Sequence, residues 1–506
     1  MPIRLCNAAM IDIIWSQQHQ INEEQLQAGF DFQESRGQHM GVQENQNNKS
    51  VTEQQELTTL ERRRRAWGLG GDSKLSQKNK IGIYHNRKRR LVAGHPFARV
   101  IGLDRWLIKK MLQVAGNPPL SIRLWDDREA IPCADPAAEL TIHDRAALLK
   151  LIIDPELHFG DLYCSGRVEV SGDLVQFLQV IYANLRETDN VGFLRRFIIW
   201  RGHRRIANSL SKARDNTYHH YDIGNSFYEL WLDKQVMQYT CAYFYDPDIT
   251  LEEAQIAKLH HVCRKLQLQP GDTVVEAGCG WGGLARFMAR HYGVNVKAYN
   301  ISHEQVKFAR ERAEQEGLSQ QVEYVEDDYR NIKGQYDVFV SVGMLEHVGR
   351  RDYRVLGDVI NRCLKPGGRG LIHTIGRNKA GSMNPWIERR IFPGAYPPTL
   401  REMMDIFEPN RFSVLDVENL RLHYAKTLEH WLLRYEQHVD VVEEMMDPAF
   451  VRAWRLYLAG SEAAFTIGKL QLFQVVFTHE RNNLLPWSRA CLYREELPAG
   501  GKHEAG

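Results

Sequence analysis

"VEAGCGWGG", residues 275–283, decides the fold. An apolar run leads into Gly278, Gly280 and Gly283, spaced G-x-G-x-x-G, and then into the helical period "LARFMARHY" (284–292). That is a strand-to-helix turn of the kind in which glycines let the backbone approach a ligand beyond the carboxyl end of a strand. The alternation continues outward. "DTVVEAG" (272–278), "VNVKAYN" (294–300), "QVEYVED" (321–327), "YDVFVSV" (336–342), "RGLIHTI" (369–375), "FSVLDVE" (412–418) and "LQLFQVVF" (470–477) read as strands, most of them separated by helical periods such as "EQVKFARERAEQEG" (304–317). Such a series predicts an α/β domain with a Rossmann-like, mostly parallel, seven-stranded sheet covered on both faces.

The glycine spacing alone does not say what the loop holds. A dinucleotide site wants an acidic residue about 20 positions on, at the tip of the second strand. Here that tip is Asn300, followed by "ISHEQ" (301–305). Glu276 precedes the loop, and "EDDYR" (326–330) puts Asp328 at a third strand tip, where a carboxylate can accept from an adenine amino group. "CLKPGG" (363–368) then reads as a turn into the fifth strand. Taken in order, these features favour the S-adenosylmethionine-dependent methyltransferase fold over a nicotinamide site.

The chain has 506 residues, a 43% hydrophobic share and a formal net charge of +2, so several domains and no global attraction to nucleic acid are expected. Residues 1–92, rich in Gln, Asn and Glu and closing with "ERRRR" (61–65) and "NRKRR" (86–90), are too poor in apolar side chains to fold and are expected to be a disordered tail. Residues 96–190 read as a small α+β domain, with strands in "SIRLWDD" (121–127) and "GRVEVSG" (166–172), helices in "DRAALLKLIID" (144–154) and "DLVQFLQVIYANL" (173–185), and a turn at Asp154-Pro155. Residues 191–216 form a basic amphipathic linker in which Arg195, Arg196, Arg201, Arg204, Arg205, Lys212 and Arg214 alternate with apolar side chains and no acid intervenes. It suits a lipid headgroup layer or an interdomain helix. The catalytic domain is expected over 217–480, with a helical lid insertion at about 385–469, and residues 481–506 as a C-terminal tail. No C-x-x-C pair or His-rich spacing suggests a metal site, and no run of apolar residues is long enough to span a bilayer. A cytoplasmic protein, peripheral on the inner face of the membrane, is the expectation.

"YHHYDIGNSFYELWLD" (218–233), "MQYTCAYF" (237–244), "GCGWGG", "ISHEQ", "SVGMLEHVG" (341–349), "HTIG" (373–376) and "LHYAKTLEHW" (422–431) together make the sequence resemble the cyclopropane-fatty-acyl-phospholipid synthases. The resemblance runs from residue 218 to about 477, is looser over 96–184 and does not extend to 1–92. It implies methylene transfer from S-adenosyl-L-methionine to the cis double bond of an unsaturated acyl chain in membrane phospholipid. It also implies a bicarbonate ion as base, held by Cys241, Glu346, His373, Tyr424 and the Ile375 carbonyl, and often a homodimer. For the methyl donor it implies Tyr221, Tyr239 and Thr240 at the methionine and sulfonium, and Glu276, Gly278, Cys279, Gly280, Trp281, Gly282 and Gly283 along the loop. Asn300, Ile301, Ser302 and Gln305 would reach the ribose, and Asp328 with Tyr329 the adenine. Two departures stand out. Asn300 replaces an expected Thr, and Ser461 replaces a cysteine once proposed as nucleophile, which favours the scheme without a covalent step. A methyltransferase that adds a methyl branch without closing a ring remains the alternative. Trp386, Phe392, Pro393 and Tyr396, with Trp431, Trp454 and Tyr457, suit either a lid over the acyl chain or ordinary core.

Overall fold

The computed structural model describes residues 77–78, 84–85, 99–126, 129–184 and 223–492. The chain divides into a unit Met1–Asp72, wholly outside the described residues, and a unit Ser73–Gly506 that contains everything below. The disordered tail expected at 1–92 therefore lies outside the described residues, save for the paired two-residue strands β1 (Gln77–Lys78) and β2 (Tyr84–His85). The basic linker at 191–216, Tyr221 and the last residues, 493–506, lie outside them as well.

The N-terminal part runs α1 (Gly102–Val114), β3 (Leu120–Leu124), β4 (Glu129–Ile131), β5 (Ala138–Ile142), α2 (Arg145–Ile153), α3 (Pro155–Cys164), β6 (Val168–Ser171) and α4 (Leu174–Asn184). Its four strands form a sheet in the order β4-β3-β5-β6, with β3 and β5 parallel. Asp154-Pro155 is more than a turn. Asp154 ends α2, and its side chain accepts from Leu157 N–H to cap α3, while Pro155 takes the first helical position, where a missing N–H costs nothing. One break in the text thus hides a whole helix.

From residue 223 the order is α5 (Asn225–Tyr228), α6 (Leu251–Leu266), β7 (Thr273–Ala277), α7 (Gly283–Tyr292), β8 (Asn295–Asn300), α8 (His303–Gln315), β9 (Val322–Glu326), β10 (Tyr336–Val342), α9 (Leu345–Val348), α10 (Tyr353–Cys363), β11 (Leu364–Gly376), α11 (Pro385–Arg390), α12 (Leu400–Phe407), β12 (Phe412–Asn419), α13 (Arg421–Glu436), α14 (Val439–Met445), α15 (Pro448–Thr466) and β13 (Gln471–His479). All seven expected strands are present, in one sheet ordered β12-β13-β11-β10-β7-β8-β9. β13 enters antiparallel between β11 and β12, and the β7 to β11 pairings are parallel. The order reverses at β7, so the ends of β7, β8 and β10 open onto one crevice, the position where such sheets bind ligands. Apart from Cys363, which closes α10, the "CLKPGG" segment belongs to β11 instead of preceding it as a free turn. Leu364 pairs with Tyr336 and Arg369 with Val338, so residues 365–368 bulge out between the two pairs.

Burial holds the layers together. Leu356, Val359 and Ile360 of α10 are at most 1% exposed, and each such side chain contributes about 1.5–3 kcal/mol on leaving water. A second cluster is aromatic. Phe227, Trp231, Trp431, Phe450 and Trp454 are all fully buried, with ring centroids such as Phe227–Trp454 5.0 Å and Trp231–Trp431 5.6 Å apart. Trp431 and Trp454 are therefore core side chains. Helices α3 and α4 of the N-terminal part pack on α15, and α3 also meets α11 of the insertion. There the Trp386 indole lies over Gly160, where an added Cβ would come within 2.4 Å of the ring. No helix among the described residues is long and apolar enough to cross a membrane.

Candidate active site

The crevice at the strand ends is a cavity walled by Tyr239, Thr240, Glu276, Gly278, Cys279, Gly280, Trp281, Asn300, Ile301, Gln305, Asp328 and Tyr329. Twelve of the residues expected at the methyl donor thus share one space. Gly282, Gly283 and Ser302 stand behind it, as the starts of α7 and α8. Two glycines explain the loop. Gly278 has φ +83°, and a side chain there would collide with Met344, its Cβ only 2.8 Å from that of Met344. At Gly280 an added Cβ would meet no protein atom within 4 Å, so glycine there keeps the cradle open for a ligand.

Polar side chains brace this cradle. Asn300 Nδ2 donates to the Gly280 carbonyl (3.1 Å) and to Gln305 Oε1 (2.9 Å), tying the second strand tip to the glycine loop. Asp328 accepts from Arg330 N–H at 2.9 Å. Glu276 is 2% exposed, its Oε2 has no hydrogen-bond partner among the described residues, and burial pushes its carboxyl up to about 8. An orphaned carboxylate oxygen lining the same cavity as the open glycine cradle fits a ligand that brings hydrogen-bond donors and positive charge, as S-adenosylmethionine would.

The cavity has walls that the sequence did not single out. Gln238, Tyr299, Asp327, Gly343, Met344 and His347 also line it. Gly343, Met344 and His347 lie within "SVGMLEHVG", where the sequence marks Glu346 for the chemistry and His347 only as its supporting neighbour. More deeply hidden is a buried polar stripe on α6. Gln255 Nε2 donates to the Thr240 carbonyl (2.9 Å), and Lys258 Nζ donates to Gln238 Oε1 (2.5 Å) and Thr240 Oγ1 (3.0 Å). One helix turn on, the His261 ring stacks on Tyr243 at 4.2 Å. Lys258 is fully buried, and burial lowers its ammonium to about 8. The stripe grips residues 238–243, which carry three wall residues and Cys241.

None of the five residues expected around an anion lines this cavity, though Cys241 follows the wall residue Thr240 and Glu346 precedes the wall residue His347. Glu346, on α9, accepts the Ile375 N–H at 2.6 Å through Oε1; its Oε2 is buried with no hydrogen-bond partner among the described residues. Burial raises its carboxyl to about 7, against the opposing pull of the Ile375 N–H. His373 lies two residues before Ile375 on β11, and burial, reinforced by the Lys258 and Lys265 ammonium groups, holds it well below its ordinary value, hence neutral at pH 7. Its Nδ1 lies 3.1 Å from Gln474 Nε2, and its Nε2 is another buried atom with no partner among the described residues. Cys241 is fully buried, its thiol 3.1 Å from the Ala242 carbonyl and 3.9 Å from that of Leu420. Burial drives that thiol upward, away from thiolate character. Leu420 also accepts from Tyr424 N–H (3.1 Å) and donates to Leu472, which pairs with Ile375. A continuous run of contacts therefore joins Cys241, Tyr424, Ile375 and Glu346. Glu346 Oε2 and His373 Nε2 are thus two buried polar atoms left without a protein partner among the described residues, one of them a potential donor.

A doubly wound sheet with a reversed seventh strand, a glycine cradle at its switch point and a carboxylate beneath it define the S-adenosylmethionine-dependent methyltransferases. The solved structure of the mycolic acid cyclopropane synthase CmaA1, complexed with SAH and CTAB, superposes with TM-score 0.50 at 29% identity over 52% of this chain and 97% of that one. The mycolic acid cyclopropane synthetase family matches residues 208–475, and the chain belongs to that family. Residues 107–189 match a domain of unknown function. A "Probable fatty acid methyltransferase" of Pseudomonas putida is 35% identical over 391 residues, 74% of this chain and 96% of that protein. The cyclopropane-fatty-acyl-phospholipid synthase of Escherichia coli K12 is 42% identical over 271 residues, 53% of this chain and 69% of that protein.

Proposed function

We propose that the protein is a cyclopropane-fatty-acyl-phospholipid synthase, acting on the cis double bond of unsaturated acyl chains in membrane phospholipid with bicarbonate as base. When bound, S-adenosylmethionine supplies an electrophilic methyl on a sulfonium, and Glu276, Gly280, Asn300 with Gln305, and Asp328 with Tyr329 would hold it. The observation that carries the reading is the pair of buried atoms without a partner among the described residues, Glu346 Oε2 and His373 Nε2. Attack of an alkene on an electrophilic methyl leaves a cation on the acyl chain, and ring closure requires loss of one proton from the new methyl. The residues around this pair suit that task. His373 stays neutral and can donate to an anion, Glu346 near pH 7 can take or give a proton, and Cys241, kept as a thiol, adds a weak donor in little space. The buried aromatic cluster beside Tyr239 and Tyr424 keeps water from the cation.

A second reading, methyl-branch formation without ring closure, is favoured by the likeness to the Pseudomonas protein, whose match extends into the N-terminal part. One experiment separates them. Purified protein is incubated with unsaturated phospholipid vesicles and labelled S-adenosylmethionine, and the lipid is examined by mass spectrometry and NMR. A gain of one CH2 with cyclopropane protons and loss of alkene protons is the expected result. An acyclic methyl-branched chain would replace the first reading with the second, and absence of lipid labelling would defeat both.

A further inference from the structure

Gln474 stands opposite His373 in the antiparallel β11/β13 pair, so their side chains share one face of the sheet. Both are buried, at 0% and 2% exposure. The Gln474 amide nitrogen can only donate, and it lies 3.1 Å from His373 Nδ1. An Nδ1 that accepts leaves the single imidazole proton on Nε2. That nitrogen is buried and has no hydrogen-bond partner among the described residues. On the next strand, Glu418 stands opposite Gln474, but its carboxylate is taken by His261 (2.7 Å) and Lys265 (2.5 Å). Among the described residues the His373 ring is the hydrogen-bond partner of Gln474 Nε2, while Gln474 Oε1 is buried without one.

We propose that Gln474 is a positioning residue that locks His373 in the Nε2–H tautomer, so that the ring presents a donor to the anion rather than a lone pair. The proposal rests on the anion-holding reading of His373 given above, and it assigns to β13, the reversed strand, a part in the chemistry. Without the Gln474 donor, the neutral ring would divide between two tautomers, only one of which can donate from Nε2. With a carboxylate in its place, the Nδ1 proton would be favoured and Nε2 would become an acceptor.

The test uses the full chain with 15N-labelled histidine. The His373 signal, assigned by its loss in His373→Gln, reports the tautomer directly, before any question of product arises. Wild type should show Nε2–H, Gln474→Met a mixture, and Gln474→Glu the Nδ1–H form or imidazolium. Both variants should lose about 10- to 100-fold in kcat, with binding of S-adenosylhomocysteine, measured by calorimetry, unchanged. An Nδ1–H tautomer in the wild type would overturn the proposal, and that measurement stands even if both variants fail to fold. Wild-type tautomer and kcat in Gln474→Met would overturn it as well. A correct tautomer in a protein that forms no cyclopropane would instead count against the proposed reaction and leave the role of Gln474 intact.

Discussion

Glu346 is held between two opposed demands, because the interior penalises its charge while the Ile375 N–H rewards it. Its carboxyl, at about 7 against an ordinary 4.5, takes up protons that the unfolded chain has already released. The folded state therefore loses stability as pH rises from the unfolded value through about 7, and that loss is absent below the unfolded value. Glu346→Gln keeps the shape and the acceptor for Ile375 but has no charge to bury. It should be more stable than wild type at pH 8, by on the order of 3 kcal/mol, and the difference should shrink toward pH 4.5. Thermal or denaturant unfolding across that range checks this, and a pH-independent difference would mean the carboxyl is not the source. The same variant, and His373→Ala, should lower turnover by roughly 10²- to 10⁴-fold, the usual contribution of a placed acid-base group, with little change in affinity for S-adenosylhomocysteine. Wild-type rates in either would remove that residue from the reaction.

Among the elements, α6 does something its composition conceals. Gln255, Lys258, His261 and Lys265 repeat at helical spacing, and polar residues so spaced ordinarily face water. Here all four are buried, and the stripe holds the segment 238–243 against the glycine loop. Lys258→Met would leave Gln238 Oε1 and Thr240 Oγ1 without this donor, at a cost of roughly 1–3 kcal/mol where no substitute exists. The expected outcome is about 10-fold weaker binding of S-adenosylhomocysteine by calorimetry, with Lys258→Arg recovering part of it. Unchanged affinity in Lys258→Met would show that the wall stands without the clamp.

On the scale of the molecule, one carboxylate gathers several of the bonds between the helical insertion and the N-terminal part. Asp161 on α3 accepts the Trp386 indole N–H (3.0 Å) and two guanidinium N–H groups of Arg390 (3.0 and 2.7 Å) from α11. Pro393, three residues beyond α11, lines the cavity, and Phe392 packs on Tyr457 at 5.5 Å. Asp161→Ala removes the carboxylate that pairs with a mostly buried guanidinium and should cost about 2 kcal/mol. Hydrogen exchange should rise over residues 385–396, and turnover on vesicles should fall while S-adenosylhomocysteine binding holds. Unaltered exchange in that segment would mean that aromatic packing alone seats it.

The sheet was legible because its central strands are short, nearly continuous apolar runs, β9 and β12 alternate apolar with polar residues, and the ligand turn needs glycines, all local properties that pattern alone reports. α3 escaped because Asp154-Pro155 both ends one helix and starts the next, and a text reads only the break. The motif around Glu346 drew notice, yet its burial, its bond to Ile375 and the facing of His373 with Gln474 depend on strands far apart in the chain. So the sequence by itself determined the strands, the cradle and the residue types available to the site. Only the tertiary structure decided which polar atoms lost water without gaining a partner, because desolvation depends on every element packed around an atom and on no single stretch of chain.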